Sequence, residues 1–355
     1  MTDAAGLDAL RHHGDADLVP GGRDFAVNVR GDAPPGWLRA RLAARVGDLA
    51  AYPGGDDDEA AVAAVAARHG VGPERVLLLG GASEGFHLLA DHAARRGLQA
   101  AVFHPSFTEP ELELRRAGVP VERVVLDAPF RLDPAAVPAE ADLVVVGNPT
   151  NPTSVLHPRA DVAALCRPGR VTVVDEAFCD VVADEASHTL AGAALPGLVV
   201  LRSLTKTWAL AGLRVGYAVG DPAVLADLAD RRPHWPLGTL QLEAIRACLG
   251  PEAEAGLAAI RAEVAAQRTA MLRALGAAGI AVVVPPEAPF VLVRTPRGVD
   301  PVAFREGLAG RGIATRRCDT FPGLDAGHLR LAVREGTMVN ELVAAWRAVT
   351  EGMRR

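Results

Sequence analysis

Short runs of consecutive apolar residues alternate along this chain with longer segments whose apolar positions recur every three to four residues. VLLL (76–79) precedes a glycine-rich turn and SEGFHLLADHAARRG; AAVFH (100–104) precedes TEPELELRRAG; ADLVVVG (141–147) precedes a proline-rich loop. VTVVDEA (171–177) and LVVLRSL (198–204) complete the series. Apolar runs without strict polar alternation suit strands buried on both faces of a mostly parallel sheet. Their interleaving with helical segments predicts an α/β layered domain.

The two ends have a different texture. Residues 1–35 are rich in Gly, Pro and Asp and read as an arm with one short apolar segment at 24–29. A helical pattern from Trp37 breaks at Tyr52-Pro53-Gly54-Gly55, and Asp56 to Asp58 open a second helix that Gly70 stops. Beyond Asp221, a helix starting at Pro222 leads to Pro233-His234-Trp235-Pro236, and a long helical region follows to about residue 278. IAVVVP (280–285), FVLVRTP (290–296), IATRRC (313–318) and LRLAVR (329–334) then mix with two helices, as in a two-to-three-stranded α+β unit. The expected division is an arm (1–35), a large domain (36–245) and a smaller C-terminal α+β domain (246–355).

Composition narrows the function classes. A net charge of -6 with no basic run argues against nucleic acid or an anionic membrane as partner. No apolar stretch approaches the ~18 residues of a membrane span, and the N-terminus lacks a signal-peptide core, so a cytoplasmic protein is expected. The four cysteines are scattered without CxxC spacing, which suggests neither a metal site nor disulfides. One feature of the charge is unusual: Lys206 is the only lysine in the chain.

In open α/β sheets ligands bind at the carboxyl ends of strands, so the residues after each run deserve inspection. Gly80-Gly81-Ala82-Ser83 opens a helix where a phosphate can approach backbone N–H groups, with Ser83 as a further donor; a tight turn would explain it equally. Phe107 could stack on a planar cofactor or simply join the core. Asn148-Pro149-Thr150-Asn151-Pro152 presets an extended loop from which an amide can donate to a phenolate. Asp175 ends a buried strand, where a carboxylate needs a partner such as a pyridinium N–H, unless it caps a helix. Lys206 follows the next run; a desolvated, cation-lined pocket would lower its pKa for imine formation, with Ser203 and Arg214 sharing a phosphate. Arg330 lies in an apolar strand and needs an anion, either a substrate carboxylate or an internal acid. The pattern points to pyridoxal phosphate (PLP), with Lys206 as the Schiff-base residue.

With these residues in place, the chain resembles the fold-type I PLP enzymes of the class I/II aminotransferases over nearly its whole length. Within them it is most similar to histidinol-phosphate aminotransferases and to the threonine-phosphate decarboxylases of cobalamin synthesis. The resemblance implies a large domain with a mostly parallel sheet and a smaller α+β domain. It implies Lys206 as the aldimine lysine, Asp175 on the pyridine nitrogen, Asn151 on the phenolic oxygen and Phe107 stacked on the ring. It further implies phosphate binding by Ala82, Ser83, Ser203 and Arg214, and carboxylate binding by Arg330. Tyr52 matches the family tyrosine that reaches the neighbouring subunit's phosphate, which implies a homodimer with shared sites. Asn28 matches the N-terminal asparagine near the substrate.

Three departures bear on the reaction. Thr153-Ser154 replaces the usual end of the asparagine loop, and Phe178 stands where the family has a tyrosine, removing one hydrogen bond to the phenolic oxygen. Asn28-Val29-Arg30-Gly31 replaces the usual Asn-Pro segment, while DEAF, RSLTK and the 318–324 segment (CDTFPGL) look more like the decarboxylase branch. The expectation is an aminotransferase acting on an amino acid or a phosphorylated amine such as histidinol phosphate, with Arg30, Arg316 and Arg334 as candidates for a substrate phosphate. The alternatives are phosphothreonine decarboxylation and a catalytically idle PLP-fold module serving as sensor or scaffold.

Overall fold

The structure, a computed structural model, describes residues 4–354; residues 1–3 of the expected arm and residue 355 lie outside the described residues. In chain order the strands are β1 (Arg23–Phe25), β2 (Val76–Leu79), β3 (Ala100–His104), β4 (Val121–Val125), β5 (Leu143–Gly147), β6 (Val171–Asp175), β7 (Leu198–Ser203) and β8 (Gly216–Gly220). β9 (Phe290–Arg294), β10 (Ile313–Arg317) and β11 (His328–Ala332) follow. The expected α/β layering is present. A seven-stranded sheet runs in the order β2-β8-β7-β6-β5-β3-β4, and β8 runs opposite to the other six strands.

Alternate residues of these strands feed two cores. Leu78, Phe103, Val144, Val146, Val174 and Val200 face one layer, while Leu79, Val102, Val145, Val173, Val199 and Leu201 face the other. Both layers are buried because each apolar run offers side chains to both faces. Gly70 and Gly97, at φ 64, end their helices in the left-handed conformation that glycine adopts without strain.

The sequence pattern missed β4 and β8. β4 is an edge strand with exposed Glu122 and Arg123, so it reads as polar. β8 begins and ends in glycine because its neighbour leaves no room: a Cβ on Gly220 would lie 2.1 Å from the Leu198 carbonyl oxygen. Conversely, 280–285 makes only a single bridge, Val282 to Val293, and Pro285 has no N–H with which to extend it.

The second sheet, β1-β10-β11-β9, has four strands instead of two or three because the arm contributes β1, parallel to β10. The boundary drawn between 245 and 246 falls inside the helix Thr239–Cys248, which packs in the large core. The following helix, Pro251–Ala277, is long enough, at about 40 Å, to serve both units. Its Leu257, Ile260 and Val264 join the large core and its Met271 and Leu275 join the core of the second sheet. No helix among the described residues is long and apolar enough to cross a membrane.

Candidate active site

β2, β3, β5, β6 and β7 point the same way, so the segments following them meet at one end of the sheet. There they enclose a cavity of about 520 Å³ with Asn28 of the arm and Arg330 of the second sheet. Ala82, Ser83, Phe107, Asn151, Asp175, Ser203, Lys206 and Arg214 all line it. Tyr52 does not; it is 75% exposed on the surface and stacks on Trp235.

One end of the cavity is an anion cradle. Gly81, at φ 90, precedes the helix Ala82–Arg96, whose first turn has no side-chain cap. Its free N–H groups and the positive end of the helix dipole both favour a phosphate. Arg214 Nη2 donates to Ser83 Oγ at 2.7 Å, and a Cβ on residue 81 would come within 2.9 Å of that nitrogen. Ser203 Oγ lies 2.7 Å from Thr205 Oγ1, which also faces the cavity. Ser203 and Thr205 precede Lys206 in sequence, and the structure brings both hydroxyls into the cavity wall.

The middle of the cavity holds the ionisable pair. Burial pushes the Asp175 carboxyl up to about 6, partly offset by the Lys206 charge, and its Oδ1 accepts from the Ala177 N–H at 3.1 Å. Burial pushes the Lys206 ammonium down to about 8, and the positive charges of Arg330 and Arg214 push the same way. Behind this pair lies a charge cluster that sequence reasoning did not find. The fully buried Arg202 binds Glu176, Asp180 and Glu185, and Arg261 of the long helix also binds Glu185. Glu176 follows Asp175 and Arg202 precedes Ser203, so the cluster ties β6 to β7 beside the cavity.

The asparagine loop is held from beneath by His157, another residue not anticipated. Its backbone N–H donates to Asn148 Oδ1 at 2.8 Å, and its Nε2 lies 3.1 Å from Thr150 Oγ1. Burial lowers the His157 pKa to about 4, so the ring is neutral at pH 7. Asn151 Oδ1 thereby meets Arg330 Nη1 at 2.7 Å.

Arg330 is opposite Arg316 in the β10–β11 register, and both line the cavity. Arg330 also donates to the Ala26 carbonyl, while its buried Nε has no partner among the described residues. Arg316 donates to the His12 carbonyl at 2.7 Å and to Thr320 Oγ1 at 2.8 Å, with its guanidinium over Phe321. Burial and Arg316 lower Arg330 to about 9, which leaves it charged at neutral pH. The other two arginines expected for a phosphate are elsewhere. Arg30 pairs with Glu263, and Arg334 donates to the Asp24 and Val27 carbonyls at 2.7 Å; both face a second cavity beyond Lys206 and Asn28. Asn28 is buried between the two cavities, and among the described residues neither its Oδ1 nor its Nδ2 has a partner.

Phe107 is half-buried between Phe86 and His13, and Phe178 packs edge-on against Phe290. The cavity thus combines an anion cradle, an aromatic wall, a buried acid, a depressed amine and paired guanidiniums. These features suit a planar, phosphorylated carbonyl compound together with a second anionic molecule.

Residues 24–345 match the family model for aminotransferase class I and II. A histidinol-phosphate aminotransferase of Mycobacterium bovis is 53% identical over 345 residues, covering 97% of this chain and 93% of that protein. The crystal structure of histidinol-phosphate aminotransferase from Clostridium acetobutylicum has a TM-score of 0.82 at 21% identity, covering 93% of this chain and 99% of its own. L-threonine-O-3-phosphate decarboxylase from Porphyromonas gingivalis has a TM-score of 0.79 at 21% identity, with 92% and 99% covered, and so shares the fold.

Proposed function

The chain belongs to the aminotransferase class I and II family, and from that premise we propose that the Lys206 cavity holds PLP and transfers the amino group of a substrate bearing a phosphate or carboxylate. The donor set fits this cofactor. The uncapped helix start, Ser83, Ser203 and Arg214 would hold its phosphate, Phe107 would cover its ring, and Asn151 would meet the phenolic oxygen. When bound, the cofactor supplies an aldehyde for amines and a ring that accepts electrons from the substrate α-carbon.

The residues divide the remaining work. The Asp175 carboxylate, with its pKa near 6, is ionised at pH 7 and can hold a proton on the ring nitrogen. The Lys206 amine, with its pKa near 8, releases its proton close to working pH and can shuttle the α-carbon proton. Arg330 orients the substrate anion.

The observation that carries the substrate class is the side-by-side pair Arg316 and Arg330 in the cavity wall. Arg316 has the buried Asp17 carboxylate 3.6 Å away, whereas Arg330 meets the neutral Asn151 and Ala26 oxygens, so the pair keeps a net positive charge that an anionic ligand would balance. The name of the 53% identical relative supports a phosphorylated amine, with histidinol phosphate as the first candidate. Two chains are proposed to form a homodimer in which Tyr52 reaches the partner's cofactor phosphate.

The test is product analysis. Protein loaded with PLP, histidinol phosphate and 2-oxoglutarate should yield glutamate and the corresponding carbonyl product. Release of CO2 from O-phosphothreonine, with no keto product from any donor, would overturn the reading in favour of decarboxylation. Borohydride reduction with PLP should label Lys206 and leave Lys206→Ala unlabelled; a colourless, unlabelled wild-type protein would point to an idle module.

A further inference from the structure

Tyr52 and Trp235 are 75% and 56% exposed, yet their rings stack 4.2 Å apart at 18°. Val46 and Leu49, each 53% exposed, lie in the turn just before Tyr52, so apolar exposure concentrates in this part of the surface. Such a patch marks an interaction surface more readily than a scattered side chain does. Among the described residues, the Tyr52 hydroxyl makes no hydrogen bond and is free to reach another molecule. Trp235 takes a φ of 50, which a bulky side chain rarely adopts, between Pro233 and Pro236.

The Trp235 loop is fastened to both walls of the anion cradle. On one side Arg232 binds Glu84 through two contacts of 2.8 and 3.0 Å, and Glu84 accepts from the Gly80 N–H at 2.5 Å. On the other, Gln241 Nε2 donates to the Arg214 carbonyl at 2.8 Å, while Gln241 Oε1 accepts from the Gly238 N–H at 2.7 Å. The aromatic pair is therefore rigidly related to its own cradle. A two-fold contact through this surface is self-complementary: each chain would present its tyrosine to the other.

We propose that Trp235 is the positioning residue for Tyr52, clamping its ring so that the hydroxyl enters the cofactor-phosphate cradle of the neighbouring subunit. The inference rests on the reading that two chains share their sites. Trp235 acts through Tyr52 and makes no contact with the cradle of its own chain's site.

The test follows PLP capture at Lys206, read by absorbance and by borohydride labelling, at chain concentrations where sedimentation gives a dimer. Trp235→Ala should weaken capture about three- to tenfold, as expected for loss of one aromatic pair. Trp235→Phe, which keeps a ring to stack on, should stay within about twofold. Hybrid dimers assign the direction. When Trp235→Ala is paired with Lys206→Ala, the single competent site receives its tyrosine from the chain with intact Trp235, and capture should be normal. When the double variant Trp235→Ala, Lys206→Ala is paired with wild type, the weakened capture should return. A defect that follows the chain carrying Lys206 overturns the proposal, as does a Trp235→Ala protein that is monomeric at every concentration. A wild-type protein that is monomeric with full PLP capture would instead sink the shared-site reading beneath it.

Discussion

Lys206 is held in a place where its charge is unwelcome. Its pKa falls from 10.5 to about 8, because burial and two neighbouring guanidiniums all disfavour the ammonium. The rate at which cofactor-free protein captures PLP should therefore rise with pH through about 8 and then level off; stopped-flow absorbance checks this. Lys206→Met should stabilise the cofactor-free protein by about 1–3 kcal/mol at pH 7. The sign follows from the direction of the shift: the cost of the charged amine is fully present below the folded pKa and fades as pH rises toward the unfolded value. The advantage of the methionine should accordingly shrink between about pH 8 and 10.5 in urea titrations. Lys206, Asp175 and Asn151 were legible in sequence because each lies at the end of an apolar run or within four residues of it. His157 was not, since a histidine that bonds a loop from below has no periodic or spacing signal.

At the scale of elements, the strand ends are aligned by charge inside the protein. Arg202 is fully buried with three carboxylates, a group that is costly to desolvate but far more costly to leave unbalanced. Arg202→Met should lose about 3–5 kcal/mol in denaturant unfolding, because Glu176, Asp180 and Glu185 would remain without their shared cation. A loss below about 1 kcal/mol would show that Arg68 and Arg261 suffice for the cluster. The strands themselves were legible where apolar runs mark burial. β4 and β8 escaped because edge exposure and close backbone packing select Glu, Arg and Gly, which resemble loop composition.

At the scale of the molecule, the arm is the part whose placement matters most. β1 joins the second sheet, Ala26 receives Arg330, and Asn28 closes the cavity, so one short segment links the second unit to the site. Arg334 fastens it through the Asp24 and Val27 carbonyls. Arg334→Ala should cost about 1–3 kcal/mol and expose the arm to limited proteolysis. Since Arg30 N–H donates to the Lys206 carbonyl at 3.0 Å, KM for the substrate should rise more than kcat falls. Protection equal to wild type would show that β1 pairing alone holds the arm.

The sequence by itself determined the α/β class, the places of most buried strands along the chain and the residues at their ends, because local apolar periodicity and strand-end chemistry are properties of short segments. The tertiary structure alone decided that Arg316 joins Arg330 in the cavity while Arg30 and Arg334 do not. It alone set the arm into the second sheet, gathered the Arg202 cluster and placed Trp235 against Tyr52. Those outcomes depend on strand register and on contacts between residues more than three hundred positions apart, such as Arg330 with Ala26, and no local pattern encodes them.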